Sequence, residues 1–260
     1  MESKIQKDLK ELIDRHSSIF VSSVNEKEEE KKNPLQRFFA DEISLTIKFL
    51  NHIRADVDVL SFESSKTPKH WLANWKFGPK EAVPFVKGLL SRHQALESMS
   101  SIWPPRVDLS RLARPSAFFA ALKQHTARET SQPLESLRLR VNWSETRKRE
   151  DWKVSLMIEG LLISGASIEN GSLSDLDADA APVAAAPSCQ IAFVPEKIDE
   201  SISDERKEYL QRNETEDSLD VPVYANSQRE ILISSLPVEC PREDRDVWLR
   251  RGVALHLKSI

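Results

Sequence analysis

At 260 residues the chain is long enough for one large domain or two modest ones, and a hydrophobic content of 40% can build a core. The formal net charge of −4 argues against a general nucleic-acid binder, while the 30% charged content points to solvated helices and at least one loose segment. The two cysteines, Cys189 and Cys240, lie far apart and make neither a disulfide framework nor a metal spacing, so a reducing compartment is expected.

The first residues, MESKIQKDLKELIDRHSSIF, have neither the apolar core of a signal peptide nor an acid-poor transit pattern. No apolar run approaches the roughly 18 residues of a membrane span, so a cytoplasmic protein without membrane insertion is expected. Ile5, Leu9, Leu12 and Ile13 recur on one face and predict a short helix over 1–15. The charged run NEKEEEKKN then reads as a solvated linker. Asn33 is placed to cap a longer helix and Pro34 to occupy its first position. Phe38, Phe39, Ile43, Ile47, Leu50, Ile53 and Val57 mark its buried face. A break at SFESSKTP and a tryptophan-rich turn, HWLANWKFGP, lead to an amphipathic helix from about Lys80 to Met99, with Val83, Val86, Leu89, Leu90, His93 and Leu96 on one side. After WPPRVDLS, Pro115 opens a helix through Ala127 with Phe118, Phe119 and Leu122 turned inward.

From there the period changes from 3.6 to 2. LRLRV and WKVSLMI alternate apolar and polar residues, LLIS continues as a strand, and Asn170-Gly171 is a type I′ turn signal. QIAFV, VPVY, ILISSLPV and GVALHLK fit further strands. Glu169–Asp220 carries fourteen acidic and four basic residues, a balance of −10 that leaves +6 for the rest of the molecule. This composition predicts a long acidic loop over about 172–219, with one marginal helix near Asp204–Arg212. The fold class is therefore α+β: an α-helical part followed by a small antiparallel, barrel-like β unit. The expected divisions are 1–62, 63–133 and 134–260.

The first stretch that could carry chemistry is GLLISGAS, Gly160–Ser167. Its glycines sit at the spacing of a phosphate-binding loop, with Ala166 in place of the lysine. Leu161, Leu162 and Ile163 prefer a packed strand, and IENGSL reads as a hairpin rather than as the helix that would hold an anion, so the glycines read as strand bends. His16, His52, His70, His93, His125 and His256 show no ligand pair on a common helix face. A serine nucleophile elbow is absent. Asp175, Asp177 and Asp179 resemble the start of a calcium loop, but Ala180 and Ala186 stand where its glycine and glutamate belong. The basic cluster from Arg138 to Lys153, interleaved with Trp143 and Trp152, reads as a solvated strand face or a contact to another protein surface. No catalytic, cofactor-binding or metal residues are assigned. By its residues alone the protein looks like a docking or structural module.

From Val107 onward, five stretches come in an order that resembles the C-terminal end of dynein heavy chains. They are VDLSRLARPSAFFAALKQHTARE, PLESLRLRV, MIEGLLISGASIENGSL, VPVYANSQRE and WLRRGVALHLK. Gln124, Thr126, Ala127 and Arg128 match the family's Q-x-T-A-R motif; Gly160, Leu161, Gly165 and Ala166 match its G-L-x-x-x-G-A strand pair. Pro222–Tyr224 match its P-V-Y strand, and Trp248, Arg251, Gly252, Val253, Ala254 and Leu255 its closing strand. NPLQRFFADEISLTIKFLNHIR looks like the long helix ending the sixth AAA module. TPKHWLANWKFGPKEAVPFVKGLLSR and the ending ALHLK look most like the cytoplasmic type 2, intraflagellar-transport class, with the axonemal class as the alternative. The stretch between Leu60 and Trp71 is shorter than the family usually shows.

The resemblance implies a non-catalytic segment that packs on the AAA ring and tunes a minus-end-directed microtubule motor, with ATP and Mg²⁺ bound in upstream modules. It implies as partners the AAA modules of the same heavy chain, dynein intermediate, light-intermediate and light chains, and microtubules. It implies a cytoskeletal location in a cilium or flagellum. Arg114, Phe118, Gln124 and Arg128 are expected in the ring packing, Gly160, Gly165 and Gly252 as structural glycines, and Trp248 in the β core. The reading from another class is an independent adaptor using the basic strand face of Arg138, Arg140 and Arg147.

Overall fold

In the computed structural model, Asn33 and Gln36 exchange side-chain hydrogen bonds: Gln36 N donates to Asn33 Oδ1 at 2.8 Å and Asn33 N to Gln36 Oε1 at 3.2 Å. This reciprocal cap satisfies two amides that the first turn of a helix leaves without partners. It opens the long helix α2 (Pro34–Val59), which follows α1 (Lys4–Arg15) and precedes α3 (Lys69–Asn74), α4 (Ala82–Ser101), α5 (Pro115–Thr130) and α6 (Arg245–Arg251). The structure describes residues 3–21, 33–59, 65–74, 79–101, 106–144, 149–176, 182–195 and 217–258. The charged run after Val21 and the helix expected near Asp204–Arg212 fall outside them.

The protein divides into two units. One comprises Met1–Pro105, Arg111–Arg114 and Ser259–Ile260, the other Arg106–Ser110 and Pro115–Lys258. The first is built from α1 to α4. Leu9 and Ile13 of α1, Leu50, Ile53 and Val57 of α2, Trp71 of α3 and Phe85, Val86, Leu89 and Leu90 of α4 form one buried cluster. Trp71 packs on Phe85 with ring centroids 6.0 Å apart. The helical spacing in α1, α2 and, apart from Phe85, α4 is what the sequence predicts, whereas the stretch expected as a tryptophan-rich turn forms α3, which carries Trp71 into the core. Burying such side chains is worth about 1.5–3 kcal/mol each before entropy is counted.

Among the described residues the second unit holds eleven strands. They are β1 (Arg106–Asp108), β2 (Leu137–Asn142), β3 (Ser155–Glu159), β4 (Leu161–Ser164), β5 (Ser167–Glu169), β6 (Ser172–Ser174), β7 (Val183–Ala185), β8 (Cys189–Pro195), β9 (Ser218–Tyr224), β10 (Leu232–Glu239) and β11 (Ala254–Leu257). They join as a four-stranded sheet, β1-β3-β8-β2, and a seven-stranded sheet, β5-β6-β10-β9-β11-β4-β7. The expected α+β class holds: helices come first and the strands make a nearly closed, barrel-like arrangement. Most pairings are antiparallel, and β1–β3, β6–β10 and β9–β11 are parallel. Helix α5 packs on β8 and β10, burying Phe118, Phe119 and Leu122 as expected.

The stretch expected as an acidic loop over 172–219 carries β6, β7, β8 and the first residues of β9. Its strands draw on apolar residues set between the acidic runs. In β8, Cys189, Gln190, Ile191 and Ala192 are all buried, because this strand is paired on both sides, with β2 and with β3. Summed charge hides such islands, since a strand needs only a few residues.

Candidate functional site

Arg114 belongs to a carboxylate-centred network in the helical unit. Glu42, one α2 residue among apolar neighbours, has no solvent exposure. Its Oε2 accepts from Arg92 Nη2 at 2.7 Å and from the amide of Ala113 at 2.6 Å, and its Oε1 from Arg114 Nε at 2.9 Å. Arg92 on α4 is also buried and donates Nε to the carbonyl of Arg111. Burial lowers the Arg92 guanidinium to about 10, with Glu42 opposing the shift. The network ties α2, α4 and residues 111–114 together. Sequence reasoning missed Glu42 and Arg92. The available signal was their helical phase: Glu42 lies three and four residues from Phe39 and Phe38, and Arg92 three from Leu89.

Helix α5 presents two opposite faces. Phe118 is fully buried, whereas Gln124 and Arg128, one turn apart, are both outside the core. Two polar side chains, one cationic, thus stand together on an open helix face. This is the kind of surface that takes hydrogen bonds from another protein.

Three of the remaining expected residues come together. β4 pairs with β11 on one side and β7 on the other, so its backbone groups are committed to sheet bonding rather than to a phosphate. Gly165 follows β4 with φ +82, and a Cβ there would lie 3.2 Å from the carbonyl oxygen of Arg251. Gly252, φ +65, ends α6 in the left-handed conformation, its amide reaching the carbonyls of Leu249 and Trp248. Arg229 Nη2 donates to the Gly252 carbonyl at 2.6 Å. Trp248 is buried, and the Arg251 guanidinium sits 4.7 Å from its ring centre while pairing with Asp175. Asp177 and Asp179 of the calcium-like stretch lie outside the described residues.

Gly160 stands apart, at the other end of β4. Its φ is +83, and a Cβ there would collide with Asp108 Oδ1. That oxygen accepts from the Ser110 amide at 3.0 Å and its hydroxyl at 2.6 Å. The glycine is therefore required by a close approach as well as by backbone conformation. Asn170 (φ 52) and Gly171 (φ 95) make the expected tight turn between β5 and β6.

On the basic stretch, Arg138 and Arg140 are exposed on β2, and Arg149 is held by Asp151 through two 3.0 Å hydrogen bonds. Arg147 lies outside the described residues. Both cysteines are buried and free, and burial pushes the Cys189 thiol well up. Among the described residues one group could hold a metal ion: His52, Asp56 and His70. The sequence hides it because His70 comes from a different helix than His52 and Asp56. Burial opposes charge on the Asp56 carboxyl, but hydrogen bonds from Trp71 and His70 prevail and hold its pKa below the usual value.

Residues 59–257 match the family model of the C-terminal domain of dynein heavy chains. The sequence is 28% identical to cytoplasmic dynein 2 heavy chain 1 of Tripneustes gratilla over 225 residues, which cover 84% of this chain and 5% of that protein. It is 26% identical to cytoplasmic dynein 2 heavy chain 1 of Homo sapiens over 202 residues, 75% of this chain and 4% of that protein. Against the dynein-1-beta heavy chain of the flagellar inner arm I1 complex of Chlamydomonas reinhardtii it is 32% identical over 142 residues, 52% of this chain and 3% of that protein. The protein thus spans 5% or less of the length of these relatives. The family match agrees with the resemblance, and the two dynein 2 relatives agree with its leaning to the type 2 class.

Proposed function

The protein belongs to the family defined by the C-terminal domain of dynein heavy chains, and we propose on that premise that it is the non-catalytic C-terminal segment of a dynein motor. In this reading it packs on the AAA ring of the same heavy chain and tunes an ATP-driven, minus-end-directed microtubule motor. Its setting is retrograde intraflagellar transport in a cilium, and its wider partners are the motor's smaller chains and the microtubule. The observation that carries the reading is the family match across residues 59–257. Support from the geometry is the split character of α5, with Phe118 buried and Gln124 and Arg128 facing outward. The outward pair can meet a neighbouring AAA module, and the buried face fixes where that pair stands.

Hydrolysis belongs to upstream modules. The loop-like glycines lie in strand bends, and β4 spends its backbone groups on β11 and β7. The purified protein is expected to turn over no ATP. Turnover that is abolished by Gly165→Val would contradict the assignment.

A second reading rests on the exposure of Arg138 and Arg140 on β2, an edge strand of its sheet. It makes this face an adaptor surface for an unrelated acidic protein. Capture of a non-dynein partner, lost on reversing the charges of Arg138 and Arg140, would favour it over the first.

A further inference from the structure

His52 and Asp56 are four residues apart on α2 and so share one face of that helix. His70 is the second residue of α3. The fold brings it back so that its Nε2 lies 2.7 Å from Asp56 Oδ2, and His52 Nε2 lies 3.7 Å from the same oxygen. The two imidazoles stand edge to face, with ring centroids 6.0 Å apart and planes at 85°. All three ligand atoms fall within 4.8 Å of one another.

We propose that His52, Asp56 and His70 form a binding site for a zinc-class divalent cation that links α2 to α3. A tetrahedral ion with bonds of about 2.0–2.1 Å needs ligand atoms roughly 3.3 Å apart. The spacings of the two imidazole nitrogens from Asp56 Oδ2, 2.7 and 3.7 Å, bracket that value. Two imidazoles and one carboxylate suit zinc and its first-row neighbours, whereas magnesium and calcium prefer oxygen donors throughout.

The carboxylate is held as metal-bound carboxylates are. The indole Nε1 of Trp71, a fully buried residue, donates to Asp56 Oδ2 at 2.7 Å. Asp56 therefore has a fixed place, set by the hydrophobic core beneath it. The side chains of His52 and His70 are 54% and 48% exposed, which lets an ion enter from water and leaves a position open to a water ligand. On binding, the imidazole Nε2 that faces Asp56 must present its lone pair, so a neutral ring carries its hydrogen on Nδ1 and releases no proton, while an imidazolium releases one. The ion would tie the short helix α3, and with it Trp71, to the long helix α2.

The test uses the 260-residue protein, stripped of metal by a chelator and titrated with zinc chloride in a calorimeter, with thermal unfolding measured alongside. One saturable zinc site is expected, with a rise in Tm on binding. His52→Ala and His70→Gln should each weaken binding by roughly tenfold or more, and the double variant should abolish it together with the Tm shift. His52 lies on the exposed face, so its variant keeps the fold, which circular dichroism verifies. Asp56→Asn keeps an acceptor for Trp71 and should weaken zinc without melting α3. Absence of saturable binding, or binding that survives the double variant unchanged, would overturn the proposal.

Discussion

At the level of single residues, Gly160 shows how a sequence signal and its physical cause can part company. Its spacing from Gly165 scans like a phosphate loop, yet each glycine answers a local backbone demand. A Cβ at Gly160 would strike Asp108 Oδ1, which two hydrogen bonds from Ser110 keep from moving aside. Gly160→Ala must also adopt a φ of +83. Together these should destabilise the protein by about 2–4 kcal/mol, read as a lowered urea midpoint. A midpoint within error of the parent would show that Asp108 yields freely. The surrounding strand character is legible from the apolar run itself, because Leu161 and Ile163 are unsuited to a solvent-facing anion loop. The collision partner is not legible, since Asp108 lies about fifty residues upstream and only the β1–β3 pairing brings it close. The same limit hides the histidine pair: no helical spacing relates His52 to His70.

Among the elements, periodicity carries the fold well and buried polarity poorly. The change from period 3.6 to period 2 after α5 places the division between helices and strands, and the caps at Asn33 and Pro34 place the start of α2. The acidic stretch after β6 is less readable, because β7 and β8 are short apolar islands whose strand character depends on partners elsewhere in the sequence. Glu42 and Arg92 are harder still: a charge on an apolar face reads as a phase error until its partners are known. Breaking this pair exposes its energetics. Glu42→Ala leaves Arg92 buried without its carboxylate and should cost about 3–5 kcal/mol. The double change Glu42→Leu with Arg92→Met removes both charges and should cost clearly less than the single one. Unfolding free energies of the two variants decide this, and a double variant that loses as much as Glu42→Ala or more would contradict it.

For the molecule as a whole, acid should weaken both units. His93 in the helical unit and His125 and His256 in the β unit are buried. Burial holds all three imidazoles below the ordinary histidine value. Glu97 opposes the shift at His93 and Glu129 at His125, while Arg128 adds to it at His125 and Arg229 at His256. A histidine whose folded pKa is depressed stays neutral in the fold while the unfolded state takes up the proton. Its contribution is therefore complete above about pH 6.5 and is lost as pH falls from there toward the folded value. Urea midpoints should drop between about pH 7.5 and pH 5.5, and a flat profile would count against these burial assignments. The central claim, that this segment tunes a dynein motor through an outward face of α5, lives at the same scale. Its most direct test is microtubule gliding by the full-length motor with Gln124→Ala and Arg128→Ala together. Neither side chain is part of the core, so the fold should survive. The account predicts altered velocity or force with an unchanged unfolding midpoint. Velocity and force equal to the parent motor would contradict it.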